Sequence, residues 1–480
     1  MKRKLVVLWF VLAVSLCAVT LAEKSGHPYD WNHPRPEEYR PPGKPYKPLR
    51  QPPGALLPRQ HHTGNSKSLD AQVVASLAGI FILAIGTQWL ASLARIPTAL
   101  LLVAGGVVAG PVTGLLDPDV LFGNLLLPVV SLSLALVLFL EALSAGRSVW
   151  DVRSPVIELA GVGMLICWLI SAAAAYLVLD CGFPLAVLLG AILAMTGPPA
   201  AVGLCRRRRA GQLNAVLTGE GIALDLIGSV LVILILKALV VGGFRQFSVV
   251  SVLAARDTLA VGILCGMLGG GALYVLLKRQ WIPQSLARSL CFMLVIGVFA
   301  VSNTFQTDSG FLAVIAMGVL LSSQEIVPAK RIVQLYGNLY ESLIAAVIIV
   351  LFARVSMADF IHLGVAGGVF VGIAIVAARP LAVGLSTVRL RFDWRERIGL
   401  SVMGPRGLLP AGLSAICTFR LIEIGDWEAT ILVPLSLLVV AGTVIACAAA
   451  SPFVARWEQE AVELDAPGTP QASVNAGTLA

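Results

Sequence analysis

From about Leu69 onward the chain is a succession of apolar runs separated by short breaks that hold charges, Gly or Pro. Crossing the hydrocarbon core of a bilayer takes about 20 apolar residues in an α-helix. Read by length and by charged breaks, the runs predict roughly thirteen spans, at about 70–94, 97–113, 122–145, 155–179, 183–205, 213–240, 256–278, 286–306, 308–323, 332–353, 358–378, 396–421 and 427–455, the second and ninth being short. The fold class expected is an all-α polytopic membrane protein.

The breaks also orient the spans. With the amino terminus outside, alternate loops hold Arg95; Arg147 and Arg153; Arg206 to Arg209; Lys278, Arg279 and Arg288; Lys330 and Arg331; and Arg389, Arg391, Arg395 and Arg397. The opposite loops are nearly bare of basic residues, so the positive-inside rule places the basic loops and the carboxyl tail in the cytoplasm. The formal charge of +8 follows this topology and makes no nucleic-acid face. At 57% hydrophobic and 13% charged residues, the chain has too little polar surface for a water-soluble globule. Its eight cysteines are scattered singly without a CxxC pattern, so neither a disulfide framework nor a zinc site is expected, and no cofactor.

The ends read differently. Residues 1–22 combine a basic start at Lys2, Arg3 and Lys4 with an apolar run, which fits a cleaved secretory signal or, alternatively, an uncleaved anchor. Residues 23–68 are Pro-rich and polar and are expected to form a disordered extracytoplasmic arm. The transmembrane domain then runs over 69–456, and 457–480 form a short cytoplasmic tail without a GxGxxG pattern.

Three features fall at one depth. The sixth span carries Glu220 and Asp225, and an ionised carboxylate at the bilayer centre costs roughly 2.5–3.5 kcal/mol, so it is rarely left there without a partner or a task. The fifth contains Thr196-Gly197-Pro198-Pro199, where two prolines after a glycine must open the helix. The twelfth contains Gly404-Pro405-Arg406-Gly407, a second interruption with a guanidinium inside it. At about 1.5 Å per residue, Thr196, Asp225 and Arg406 all lie near mid-membrane. The broken spans are seven apart and run in opposite directions, as in inverted-repeat transporters whose discontinuous helices cross at an ion site. Ordinary proline kinks are the competing reading; a midplane acid and arginine beside them favour the ion site.

A buried guanidinium needs an anion, so Glu220 is expected to pair with Arg406, leaving Asp225 to bind a proton or a metal cation. Glu141 and Glu158 read as solvated helix ends near the cytoplasmic face, and Lys237 as snorkelling at the outer end of its helix.

The stretches from Glu220 to Gly228, Thr196 to Pro199, Asn303 to Val314, Arg379 to Thr387, Trp394 to Arg397 and Gly404 to Gly407, taken in order, resemble the monovalent cation:proton antiporters of NhaP and sodium/hydrogen exchanger type. The resemblance implies thirteen spans with two crossed discontinuous helices, a homodimer in the cell (inner) membrane, and a core domain moving against a dimerisation domain. It implies that Asp225 carries the ion, with Thr196 and Gly221 beside it, and that Glu220 pairs with Arg406. The chain departs from the family's usual pattern in having Gly197 for an aspartate, Leu224 for an asparagine, and Leu140-Glu141 where the acid usually follows Phe. Exchange of Na+, or of K+ or Li+, for H+ by competition at one carboxylate is the expected function, one-for-one and electroneutral. A gated cation channel and a membrane-embedded enzyme are the alternatives.

Overall fold

The computed structural model describes residues 66–94, 98–151, 153–197, 212–242, 249–279, 284–324, 329–390, 392–407 and 409–464. The leader, the Pro-rich arm through residue 65, Pro198, Pro199 and the tail beyond Leu464 lie outside them. Among the described residues every regular element is a helix. In chain order these are α1 (Ser66–Ala94), α2 (Thr98–Val107), α3 (Pro118–Phe122), α4 (Leu126–Asp151), α5 (Arg153–Glu158), α6 (Met164–Val178), α7 (Phe183–Ala194), α8 (Gln212–Gly242) and α9 (Val249–Lys278). There follow α10 (Gln284–Phe305), α11 (Ser309–Ser322), α12 (Ala329–Arg354), α13 (Met357–Ile373), α14 (Arg379–Ser386), α15 (Trp394–Val402), α16 (Leu409–Glu423) and α17 (Leu432–Leu464). Among the described residues, seven helical stretches are long and apolar enough to cross a membrane, and five shorter apolar helices accompany them. The described part is thus multi-pass and all-helical.

Local chemistry starts several of these helices. Ser356 and Asp359 form a reciprocal capping box ahead of α13, and Asp393 and Glu396 do the same for α15. Pro380 lacks the N–H that would bond the carbonyl one turn back, and the turn before it, Ala374–Ala378, is a π turn that carries the helix on into α14. The apolar stretch therefore runs as one from Ala358 to Ser386, eight residues past the expected boundary at 378. The last helix likewise continues through Leu464, past the expected tail boundary at 457.

In lipid the apolar surface of a helix gains little from burial, so close packing must hold the bundle together. Helix α9 shows how it is done. A Cβ on Gly266 would overlap the carbonyl of Ala313, so the glycine lets the α9 and α11 backbones touch. Helix α11 lies in turn on α4, α4 on α8, and α16 against α4, α7 and α8. This packs most faces of α8 against other helices, and its two acids lie on the buried faces.

One end of the bundle is tied by polar contacts between helix ends. Lys237 of α8 is buried and donates to Thr307 Oγ1 at 2.7 Å, where snorkelling was expected. Arg420 of α16 pairs with Asp308 at 3.1 Å, and Arg354 of α12 pairs with Asp119 while stacking 4.5 Å from the Phe419 ring. The turn before α11, in which Asp308 is buried, thus clasps the ends of α8 and α16.

Asp426 lies in the turn after α16, outside the spans, with Oδ1 accepting the Glu428 N–H at 3.0 Å. Burial pushes its carboxyl up to about 6, and the Glu428 charge adds to the shift. An unfolded Asp titrates near about 3.9, so between that pH and about 6 the folded chain binds more protons, and stability falls as pH rises through the window. Asp426→Asn is expected to raise the melting temperature of the purified protein at neutral pH and to flatten its slope across the window; an unchanged slope would contradict this.

Candidate functional site

The site is built where two chains of backbone stop being helical. Helix α7 ends at Ala194, and Met195 turns to extended backbone with φ −68° and ψ 137°. Helix α15 ends at Val402, and residues 403–407 are non-helical before α16 begins. Thr196 lies in the first opening, 2% exposed, and its Oγ1 has no hydrogen-bond partner among the described residues.

The two openings meet. A Cβ built on Gly197 would stand 2.7 Å from Gly407 Cα, and one built on Gly407 would stand 2.8 Å from Gly197 Cα. Each would also lie 3.5 Å from Asp225 Oδ2. The backbones therefore touch directly beside the Asp225 carboxylate, which α8 presents at 1% exposure. Asp225 Oδ1 has no hydrogen-bond partner among the described residues, and no ion pair joins this acid there. Gly221, one turn earlier on the same helix, is buried as well. A buried polar atom left unpaired costs about 1–3 kcal/mol, so Thr196 Oγ1 and Asp225 Oδ1 make this the candidate site.

The neighbouring charges are disposed differently from the sequence expectation. Glu220 pairs with Arg379, accepting at 2.6 Å through Oε1 and 2.9 Å through Oε2, and Arg379 also donates to the Leu400 carbonyl at 3.3 Å. Arg406 is not its partner. The reason is local: α14 carries Arg379 to the face of α8 that bears Glu220, and Gly404 makes room, since a Cβ there would overlap the Arg379 guanidinium. Arg406 turns elsewhere. Its guanidinium donates to Cys167 Sγ at 3.1 Å and, at 3.5 Å, to the Met195 carbonyl, while its backbone N–H bonds Thr443 Oγ1 at 3.1 Å. Met195 lies just past the C-terminal end of α7, where a positive charge offsets the helix dipole.

Glu141 is the second correction. It sits well inside α4, 4% exposed, instead of at a solvated end. Glu158 is half-buried and lies within a continuous helix, since the π turn Leu159–Gly163 carries α5 on into α6. Position within the apolar run was the signal that could have found both residues: Glu141 precedes several further helical residues, and Arg379 stands before Pro380 in a span that runs on.

With this geometry in view, the chain matches the transmembrane sodium/hydrogen exchanger family over residues 78–450 and belongs to it. It is 26% identical over 264 residues to a K(+)/H(+) antiporter NhaP of Alkalimonas amylolytica, covering 54% of this chain and 45% of that one. It is 29% identical over 239 residues to the Na(+)/H(+) antiporter ApNhaP of Aphanothece halophytica, covering 48% and 43%. The match thus spans less than half the length of these relatives. The structure of the sodium proton antiporter MjNhaP1 from Methanocaldococcus jannaschii at pH 8 shares the fold, with a TM-score of 0.66 at 20% identity over 82% of this chain and 98% of that one. Its fold is thus that of a solved NhaP antiporter.

Removing one member of a buried pair strands the other charge. Arg379→Met is expected to lower the unfolding free energy by about 3–5 kcal/mol, with Glu220→Gln on that background restoring part of the loss. In the same melting experiment, Arg406→Met should show no such coupling to Glu220→Gln; equal coupling would revive the other pairing.

Proposed function

We propose that this chain is a secondary antiporter that exchanges a monovalent cation, Na+ ahead of K+ or Li+, for H+ at Asp225. The observation that carries the reading is the state of that carboxylate: buried, one oxygen unpaired among the described residues, and two opened backbones against it. A proton satisfies such an oxygen in one way and a metal cation in another, and one excludes the other. Thr196 Oγ1 and the backbone past the end of α7 would add oxygen ligands, and Gly221 leaves room one turn away. Glu220 and Arg379 would serve as the structural ion pair beside the site.

On the same reading, the opened stretches are discontinuous helices that cross at the midplane of about thirteen spans arranged as inverted repeats, in a homodimer in the inner membrane. Rocking of the site-bearing helices against the rest would expose Asp225 to each side in turn. One carrier carboxylate makes the exchange one-for-one and electroneutral, and Glu141 is the group that would change this count if it also cycled a proton.

The test is exchange in proteoliposomes. A cation gradient is expected to drive proton movement that is insensitive to membrane voltage, that Asp225→Asn abolishes and that Glu141→Gln retains with altered cation affinity. Movement that persists in Asp225→Asn would overturn the assignment, and a voltage-driven rate lost in Glu141→Gln would overturn the one-for-one count.

A further inference from the structure

Gly197 and Gly407 do more than let two backbones open. Each lacks a side chain at the point where the other's main chain passes, and the atoms that a Cβ would strike are the Cα of the opposite glycine and, for Gly407, also the Gly197 nitrogen at 2.9 Å. These are backbone atoms that cannot swing aside. Ordinary van der Waals contact begins at 3.4 Å, so a methyl group at either position must part the two strands by about 0.7 Å. The same methyl group would stand 3.5 Å from Asp225 Oδ2, at ordinary contact, so it widens the wall facing the carboxylate without covering it.

The unpaired Thr196 Oγ1 and Asp225 Oδ1 belong to that wall and to the acid behind it. How far apart they stand depends on how closely the two stretches meet. Selection among cations of one charge depends on cavity size, ligand number and rigidity. A crossing at backbone contact is the tightest that a polypeptide can make, and backbone against backbone gives it little freedom to adjust.

The geometry points to the Gly197–Gly407 contact as the size filter of the exchange site, holding it to a small alkali cation. K+ is larger than Na+ by a few tenths of an ångström, less than the parting that a single methyl group forces. Na+ is accordingly the better substrate of the native chain, and Gly197→Ala or Gly407→Ala relaxes the preference towards K+. The inference rests on Asp225 being the site of exchange.

The experiment is a cation series on purified protein in proteoliposomes, reading proton movement driven by Na+, K+, Rb+ or Cs+ at constant ionic strength. In the native chain the apparent affinity is expected to fall steadily with cation radius. In Gly197→Ala and Gly407→Ala the ratio of the K+ to the Na+ KM is expected to move towards one by about tenfold, a change of about 1.4 kcal/mol in discrimination. A role confined to folding would change maximal rates or yields and leave that ratio alone. An unmoved ratio overturns the size filter and leaves the antiporter reading standing, whereas a native chain that no cation drives fails that reading first. Should neither variant assemble, the native series decides alone: affinity that is flat or rises with radius overturns the proposal.

Discussion

Everything in the described part of this molecule is arranged around one costly burial, the carboxylate of Asp225 at 1% exposure inside a bundle made for lipid. An acid there must be neutralised, paired or bound. Two guanidiniums lie on neighbouring elements, and either could have locked it. Neither does. Arg379 is taken up by both oxygens of Glu220, and Arg406 is drawn to the carbonyl end of α7 and the Cys167 sulfur. Both are held by fixed structure, which on the proposed reading leaves the Asp225 carboxylate open to an exchangeable occupant.

Two kinds of contact hold the helices together. Glycines on α9 give close backbone contact with α11, which suits a rigid support. The clasp at the expected outer end is polar instead, made by Lys237, Asp308 and Arg420, and polar contacts between helix ends can be exchanged for water when helices shift. The openings after α7 and α15 sit between these regions and pair with each other through glycine backbone. They bring glycine backbone against the Asp225 carboxylate and free main-chain groups that regular helices would have used internally.

Much of this could be read from residue order. Apolar runs located most helices because lipid forces the backbone to satisfy itself, and the Gly-Pro clusters marked both openings because Pro cannot continue a helix. Charge pairing was harder, since it depends on rotation about helices that no run length reveals. Ending the eleventh span at residue 378 left Arg379 outside the membrane, so Arg406 seemed the one cation able to reach Glu220; the π turn before Pro380 carries the helix on and brings Arg379 in. Glu141 escapes for a related reason: it stands near the end of its apolar run, yet α4 continues to Asp151 and buries it. Gly197, conspicuous as a lost aspartate, has its reason in the close approach of Gly407, which only the folded backbone displays.

The central claim is that proton and metal cation displace each other at one acid, and the most direct measurement is of that displacement in the resting protein. Na+ titrated into weakly buffered, detergent-purified chain should release about one proton per cation bound, with apparent affinity weakening as pH falls. Cation binding that releases no proton, or whose affinity is indifferent to pH, would contradict the account.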